Sequence, residues 1–376
     1  MKEIYFDNSA TTKISAKALE KYKIISETLY ANPASLHKAG FNAEKEIDIA
    51  RKTVMKALGA KNEKEVIFTS GGTESDNIAI LGSVLARHRE GKHIVTSKTE
   101  HHAVLDCFKF LESRGYEVTY LNVDKTGIID IEQLKTSVRD DTILISIMTM
   151  NNETGIVQPI NQIKELAKNA TLHTDAVQAF GKLDLTKINA DLISVSAHKI
   201  HGPKGVGALY IKSGTKIKNT VFGGGQEWNL RSGTLNVPGI CAFGCAVEEL
   251  MAEFENNNNK FTELYDYFVK RLTEIEDVVF NSYIKGNIIN VSFVGIRGEV
   301  LLHYLEEKNI YISTGSACNA KSTKISYVLD AMNIDKTVAE GAVRISLSKY
   351  NSVDEIDCVV EEIKKGVELL RKFKRR

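Results

Sequence analysis

The sequence predicts an α/β protein with a mainly parallel, mixed sheet flanked by helices. The main observation is an alternation of short β-rich runs with helical patterns between about residues 60 and 215, as in EVIFTS (65–70), KHIVTS (92–97) and YEVTYL (116–121). Such alternation is typical of crossover connections between parallel strands. The second observation is the length of 376 residues, which is enough for a sizeable core and a second domain.

The individual elements follow from periodicity. Helical patterns precede the alternating region at residues 18–30 and 43–59, and the second ends at a glycine that suits a helix C-terminus. Further helices are predicted over GGTESDNIAILGSVLARH and HHAVLDCFKFLESRG. The remaining strand candidates are TILISIMTM (142–150), TLHTDAV (171–177), ADLISVSA (190–197) and VGALYI (206–211).

A smaller α+β domain is predicted in the last third of the chain. It contains NIINVSFVG, a helix through EVLLHYLEEKN, VRISLS and a final helix. The boundary is placed near residue 255, where sheet signals stop and the ENNNNK run begins. We therefore expect a large domain over residues 14–254 and a small domain over residues 1–13 and 255–376. Composition alone does not decide whether the asparagine run is helical or open.

Composition excludes several classes of protein. Charged residues make up 26% and hydrophobic residues 43%, as in ordinary soluble proteins, and a net charge of +1 offers no broad basic surface for nucleic acid. The N-terminus lacks a basic segment followed by an apolar run, and no stretch is long enough to span a bilayer. We expect a cytoplasmic protein without membrane contact. Five cysteines without CxxC spacing argue against disulfides and zinc ribbons.

The turn GGTES follows the first predicted strand of the alternating region. Its glycines let the backbone approach a ligand closely, and Thr73 opens a helix whose free N–H groups suit a phosphate. The alternative is a plain helix cap, because Thr73 and Asp76 have the spacing of a capping box.

Other informative turns also follow predicted strands, where ligands of open α/β sheets bind. They carry His101 with His102, Asn152, Asp175 with Gln178, and Ser196 with His198 and Lys199. A lone lysine in a turn is ordinarily solvated. Lys199 therefore indicates a functional site only together with the residues around it. A zinc site built from His101, His173, His198 and His201 is not expected, because no HExxH-type pairing is present and the lysine would have no role.

Together, these turns predict a ligand that is flat, anionic at one end, basic at a ring nitrogen and reactive toward an amine. Pyridoxal 5'-phosphate meets each requirement. Lys199 would form the Schiff base, and Asp175 would keep the ring nitrogen protonated. His101 would stack on the ring, while Asn152 and Gln178 would bind ring substituents. The phosphate would be bound by Gly72, Thr73, Ser196 and His198.

Ten motifs in register carry a resemblance to a known family. They are YFDNSATT, NPASLH, TSGGTESDN, TEHHAVL, MNNETG, HTDAVQ, SAHKIHGPKG, RSGT, STGSAC and VRISLS. In order and spacing they resemble the cysteine desulfurases of the NifS/IscS type, in the class V aminotransferase group of fold type I pyridoxal phosphate enzymes. The resemblance covers nearly the whole chain.

The resemblance implies further roles. Thr234 would reach the phosphate from the partner subunit of a homodimer. Arg344, with Asn32 beside it, would bind the carboxylate of L-cysteine. Cys318 would accept the sulfur as a persulfide, leaving L-alanine, and would pass it to an acceptor protein of iron–sulfur cluster assembly or tRNA thiolation.

Cys318 also stands out in its own surroundings, because it lies among small and polar residues where a buried thiol is hard to place. Gly315, Ser316 and Ala317 before it would make a compliant arm. Many relatives have Thr-Ser directly after the cysteine, whereas Asn319 follows here. This departure leaves the preferred sulfur acceptor open.

Several alternatives remain at this level. The protein could be a selenocysteine lyase or an aminotransferase of the same fold, or a catalytically silent sulfur-carrier platform. His101 is expected to stack on the ring and to transfer a proton to or from the substrate thiol, but it could simply cap the helix that begins there. Arg344 could be a structural residue at a strand end, and Cys318 a loop thiol without a role.

Overall fold

The computed structural model describes residues 3–282, 284–315 and 325–374. The strands are β1 (Ile4–Tyr5), β2 (Val66–Thr69), β3 (His93–Ser97), β4 (Glu117–Leu121), β5 (Thr142–Ser146), β6 (Thr171–Asp175), β7 (Leu192–Ser196), β8 (Gly207–Ile211), β9 (Val278–Phe280), β10 (Ile288–Phe293), β11 (Ile310–Tyr311) and β12 (Ala342–Ser346). The helices are α1 (Ala16–Thr28), α2 (Lys38–Leu58), α3 (Gly72–Arg87), α4 (His102–Ser113), α5 (Ile131–Ser137), α6 (Ile160–Leu166), α7 (Val237–Ala252), α8 (Phe254–Leu272), α9 (Gly298–Glu306), α10 (Tyr327–Ala331), α11 (Lys336–Ala339) and α12 (Val353–Lys374).

A seven-stranded sheet forms the centre of the molecule, in the order β2-β8-β7-β6-β5-β3-β4. Strand β8 runs antiparallel to both of its neighbours, and the remaining pairs are parallel. The predicted α/β class with a mainly parallel, mixed sheet is thereby confirmed. Because β2, β3, β5, β6 and β7 all point the same way, their carboxyl ends meet at one edge of the sheet.

The predicted element boundaries differ from the observed ones in a few places. The helix over residues 43–59 does end at its glycine, since Gly59 adopts a left-handed conformation with φ 69°. The run at 142–150 is a strand only as far as Ser146. The short helices α5 and α6 were not predicted, because seven residues carry too little periodicity to detect. The ENNNNK run is helical and forms the first turns of α8.

The structure contains two large hydrophobic cores. The first surrounds the seven-stranded sheet and the helices α1, α2 and α7, with α7 so close to α2 that a Cβ atom on Gly244 would lie 2.7 Å from that of Ala50. The second joins β1, α8, α9, α12 and the three-stranded sheet β12-β10-β9. Side chains of α10 and α11 pack on the first core. The division into domains stays a prediction.

Within the described part of the chain, no helix combines the length and the apolar character needed to cross a bilayer.

A buried ion pair holds an unusual turn against the sheet. The guanidinium of Arg51 donates to both carboxylate oxygens of Glu227, over 2.7 and 2.8 Å, and lies 4.6 Å from the ring centres of Phe68 and Trp228. Glu227, Trp228 and Asn229 all have positive φ angles, between 47° and 65°. Left-handed backbone costs a non-glycine residue about 1–2 kcal/mol. The ion pair and the two ring contacts therefore have to offset strain in three consecutive residues.

We expect Glu227→Ala to lower the free energy of unfolding by about 3–5 kcal/mol, because it leaves the Arg51 charge buried without a partner. Urea or thermal unfolding would measure this. The control is Glu63→Ala, which removes the carboxylate of an exposed pair with Lys52 and should change stability far less. Equal losses in the two variants would contradict the account.

Candidate active site

A cavity of about 240 Å³ lies at the carboxyl edge of the main sheet. Ten of the residues predicted from the sequence line it: Gly72, Thr73, His101, Asn152, Asp175, Gln178, Ser196, His198, Lys199 and Arg344. They come together because each cofactor-site residue follows a parallel strand, and Arg344 reaches the same space from β12. The sequence analysis missed six other lining residues, Ser9, Ala10, Asp76, Met148, Met150 and Val177.

One end of the cavity is formed by the start of α3. Its N-cap is Gly71, with φ 148° and no side-chain cap, so the capping box of Thr73 and Asp76, which was the alternative to a phosphate site, does not form. A Cβ atom on Gly72 would lie 2.7 Å from a methyl group of Val177, so only glycine fits there without displacing its neighbour. The buried hydroxyl oxygen of Ser196 has no hydrogen-bond partner among the described residues. Uncapped N–H groups and an unpartnered hydroxyl suit an anion.

The middle of the cavity contains Asp175, the last residue of β6. Its carboxylate accepts a hydrogen bond from the N–H of Val177 over 2.9 Å and forms no ion pair within residues 3–282, 284–315 and 325–374. Burial, helped by the nearby carboxyl of Asp76, raises the pKa of Asp175 to about 7. A cation bound in front of Asp175 would restore its ionised form.

Lys199 leaves β7 through a single 3-10 turn, Ala197–Lys199. Its Nζ donates hydrogen bonds to the backbone oxygens of Ser9 and Ala10, the latter over 2.8 Å. The amide of Gln178 also donates to the Ser9 oxygen, over 2.9 Å. The amine is thus partly buried and directed by the N-terminal segment of the chain. No sequence signal marks this contact, because the acceptors are backbone atoms.

His101 both caps a helix and lines the cavity. It is the N-cap of α4, and its Nδ1 accepts a hydrogen bond from the N–H of Ala103 over 3.2 Å. Burial lowers the pKa of His101, although the charge of Asp175 opposes this shift. The ring therefore carries its proton on Nε2 when neutral. The capping role and the predicted role at the ligand are compatible.

Arg344 lies in the middle of β12 and is only 1% exposed. Its Nη2 pairs with Asp7 over 2.6 Å, and its Nη1 donates to the backbone oxygen of Asn152 over 3.0 Å. The third nitrogen, Nε, is buried without a hydrogen-bond partner in the part of the chain that the structure describes, as is the side-chain oxygen of Asn152. A buried guanidinium with an unused donor suits a carboxylate ligand.

Three predicted residues do not line the cavity. Asn32 and Thr234 are exposed, and the side-chain oxygen of Asn32 accepts a hydrogen bond from the N–H of Ala34 over 3.0 Å. Cys318 lies outside the described residues. The predicted roles of all three stay predictions.

The four described cysteines lie elsewhere in the structure. Cys107 and Cys241 are buried, and burial raises the pKa of each thiol to about 12. Burial also raises the pKa of the Cys245 thiol. A thiol must ionise to act as a nucleophile, so these three are poorly suited to that role.

Several buried polar residues in or beneath the cavity were given no role there by the sequence analysis. His173 lies within the sheet, where its ring nitrogens bond with the hydroxyls of Ser146 and Ser194 over 2.8 and 3.0 Å. Burial raises the pKa of Asp76 to about 7 and that of Glu100 to about 8. His173 lies in a β-rich run, whereas Asp76 lies in α3 and Glu100 in the turn after β3, and nothing in the local sequence shows that they meet.

The fold and the cavity define an α/β enzyme whose site joins a partly buried lysine, a buried aspartate and a helix start that suits an anion, at the carboxyl edge of its sheet. The chain belongs to the aminotransferase class-V family, whose sequence pattern it matches over residues 4–359.

Similar proteins agree with this assignment. The chain is 43% identical over 381 residues to a cysteine desulfurase IscS of Dictyoglomus turgidum, covering 98% of this chain and 96% of that protein. It resembles the solved structure of a NifS-like protein with a TM-score of 0.92 at 37% identity, covering 98% of this chain and all of that one. It also resembles SspA in complex with cysteine, with a TM-score of 0.78 at 36% identity, over 93% of this chain and all of that one.

We expect Asp175→Asn to stabilise the cofactor-free protein at neutral and alkaline pH. The carboxyl has a pKa of 3.8 when unfolded and about 7 when folded, so between these values only the unfolded state is ionised. Ionisation then favours unfolding. The resulting penalty on the free energy of unfolding grows with pH up to about pH 7 and is constant above it. The variant lacks this penalty.

Thermal unfolding midpoints of the cofactor-free wild type and variant between pH 4 and 9 would test this. The control is Asp106→Asn, on the exposed face of α4. Its unfolding midpoint relative to wild type should not rise between pH 4 and 7 and then level off. A gain for Asp175→Asn that shrinks as the pH rises would contradict the account.

Proposed function

We propose that this protein is a cysteine desulfurase that converts L-cysteine to L-alanine and transfers the sulfur atom to Cys318 as a persulfide. The observation that carries the proposal is the single cavity in which Lys199, Asp175 and the unused Nε of Arg344 meet. The names of its relatives support the same activity, because they include cysteine desulfurases and a structure with bound cysteine.

The cavity residues fit pyridoxal 5'-phosphate. Among the described residues, the side-chain oxygens of Ser196 and Asn152 have no hydrogen-bond partner and the carboxyl of Asp175 forms no ion pair, and each would gain a partner from the cofactor. When bound, this cofactor condenses with amines and withdraws electrons from the carbon next to the amine. Its phosphate would be held by Gly72, Thr73, Ser196 and His198, and its ring by His101, Asn152, Asp175 and Gln178.

Lys199 holds the cofactor and then serves as the base at the substrate Cα. The backbone oxygens of Ser9 and Ala10 direct its Nζ into the cavity. These two fixed acceptors keep the partly buried amine in position. The amine can therefore take the proton from the substrate Cα and then give it to an atom close to Cα.

Arg344 binds the substrate carboxylate. Asp7 and the Asn152 backbone already hold its guanidinium in one plane, so little side-chain entropy is lost on binding. The carboxylate would bond to Nε, with Asn32 beside it. Substrate is thus held at its carboxylate and at its amine.

His101 and Cys318 act on the sulfur. His101 presents Nε2 to the cavity and exchanges a proton with the substrate thiol. The Cys318 thiolate forms a bond to the substrate sulfur while the C–S bond breaks, and the electron pair of that bond goes to Cβ, which takes a proton. The products are L-alanine and a persulfide on Cys318.

The assembly is a homodimer in the cytoplasm. The exposed position of Thr234 is compatible with a contact to the phosphate bound by the partner subunit. The persulfide passes to a sulfur-acceptor protein of iron–sulfur cluster assembly or tRNA thiolation. The names of the relatives do not favour a selenocysteine lyase or an aminotransferase.

Cofactor-loaded protein mixed with L-cysteine, without reductant, should form about one L-alanine per site and one persulfide on Cys318. Amino-acid analysis and peptide mass mapping would measure both. Cys318→Ala should form neither, because the acceptor thiol is gone, whereas Cys245→Ala should behave like wild type. Sulfur release from cysteine at the wild-type rate in Cys318→Ala would rule out the proposed acceptor.

Arg344→Ala should raise the Michaelis constant for cysteine about 10- to 100-fold, since a charge-assisted hydrogen bond contributes about 1.5–3 kcal/mol. The Michaelis constant of Arg344→Lys should lie between those of wild type and Arg344→Ala, because lysine keeps the charge but not the planar fork of the guanidinium. Steady-state kinetics would measure this, with unfolding midpoints to confirm that the variants fold. An unchanged Michaelis constant in a folded Arg344→Ala would show that the arginine is only structural.

A further inference from the structure

Glu153 is a buried acid, 1% exposed, to which the sequence analysis assigned no role. It follows Asn152 at the turn after β5, next to the cavity. Its carboxylate lies between the two chain segments that flank residues 316–324. Gly315 is on one side of it and Ser326 on the other.

The contact with Ser326 is a short hydrogen bond. The Ser326 hydroxyl donates to Glu153 Oε2 over 2.5 Å and accepts from the N–H groups of Val328 and Leu329 over 3.2 and 3.3 Å. The same hydroxyl therefore caps the N-terminus of α10 and donates a hydrogen bond to a buried carboxylate.

Gly315, on the other flank, lies beside the same carboxylate. A Cβ atom on Gly315 would lie 3.4 Å from Glu153 Oε2. The backbone oxygen of Gly315 accepts a hydrogen bond from the Ser313 hydroxyl over 2.9 Å, and Ser313 pairs through its backbone with Arg344. This flank is thus held to the strand that carries the proposed carboxylate-binding arginine, next to Glu153.

Glu153 itself has a fixed position. Its N–H donates to the side chain of Asn151 over 2.9 Å, and its backbone oxygen accepts from the side chain of Asn290 over 3.1 Å. The preceding backbone oxygen, of Asn152, accepts from Arg344. One turn therefore contacts the proposed substrate carboxylate site, the proposed cofactor ring site and both flanks of residues 316–324.

A second contact holds the flank after residue 324. The Tyr327 hydroxyl donates to the backbone oxygen of Glu100 over 2.7 Å, and its ring lies 5.1 Å from that of His102. Glu100 and His102 are the neighbours of His101. The start of α10 is therefore held to the segment that bears the proposed proton carrier.

We propose that Glu153 is a positioning residue for sulfur transfer, because its carboxylate accepts a hydrogen bond from Ser326 on one flank of the segment that contains Cys318 and lies beside Gly315 on the other. This rests on the proposed desulfurase function. Fixing both ends of a segment raises the effective concentration of a group within it at a nearby site. Binding of cysteine and loss of its Cα proton involve other residues, so they do not depend on Glu153.

The test uses cofactor-loaded protein in a single turnover with L-cysteine. Glu153→Ala and Ser326→Ala should each slow persulfide formation on Cys318 at least about tenfold. The double variant should be at most about twofold slower than the slower single variant, because both changes remove one interaction. The concentration of cysteine that half-saturates the visible absorbance change of the cofactor should stay within about twofold of wild type.

The matched control is Asp330→Asn, which removes one exposed negative charge from α10 without touching Glu153 and should react like wild type. Glu153→Gln covers the case that Glu153→Ala does not fold, with a smaller loss in the same direction. Hydrogen exchange at Val328 and Leu329 should be faster in both Glu153 variants, since the Ser326 cap loses its acceptor.

The outcomes separate this inference from the proposed function. Wild type that forms neither alanine nor persulfide would overturn the desulfurase proposal itself. If wild type forms persulfide and a folded Glu153→Gln does so at the same rate, the positioning role is wrong. Equal losses in cysteine binding and in persulfide formation would also overturn it, because they would indicate a general structural defect.

Discussion

Burial of three acids near the carboxyl edge of the main sheet is the constraint on which the site depends: Asp175 ends β6, Asp76 lies in α3, and Glu100 follows β3. Burial raises the pKa of Asp175 and Asp76 to about 7 and that of Glu100 to about 8. A protein that needed only stability would place apolar residues there. A bound cation, such as a protonated ring nitrogen in front of Asp175, turns the same arrangement into a favourable one. The energetic disadvantage of the cofactor-free site would thus be relieved when the proposed cofactor binds, which would add to its affinity.

The N-terminal segment joins the two halves of the site. Ser9 and Ala10 accept hydrogen bonds from Lys199 on the main sheet, while Asp7 pairs with Arg344 on β12. The same segment is attached to β12 through the bond from the Ser9 N–H to the Ser346 hydroxyl, over 2.8 Å. The distance between the proposed cofactor lysine and the proposed carboxylate-binding arginine is therefore set by a few residues that carry neither function.

Much of the site could be predicted from the sequence, because it depends on strand ends. Apolar runs indicate buried parallel strands, and Asp175 and Lys199 lie at the ends of two such runs. The fold class alone therefore predicts that these two side chains lie close together. Backbone acceptors such as Ser9 could not be predicted in this way, since any residue supplies them. Glu153 was missed for a related reason: its partners Gly315 and Ser326 are more than 160 residues away in the sequence.

The ENNNNK run shows how packing overrides local preference. Asparagine is a poor helix former, yet the run is helical because Phe261, Leu264 and Phe268 bury one face of α8 in the second core.

Asn32 and Thr234 show what the sequence of a single chain does not predict. Both are exposed in a single chain, and the predicted role of Thr234 depends on a second subunit, which periodicity and spacing do not encode.

The central claim is that the Lys199 amine is the group that holds the cofactor. Lys182 is the natural competitor, because its Nζ lies 3.1 Å from the Lys199 backbone oxygen and burial lowers its pKa to about 7. Borohydride reduction of the pyridoxal phosphate-loaded protein, followed by peptide mass mapping, distinguishes the two. The account predicts a pyridoxyl group on the peptide that contains Lys199 and on that residue alone. Labelling of Lys182 instead, or of neither lysine, would contradict it.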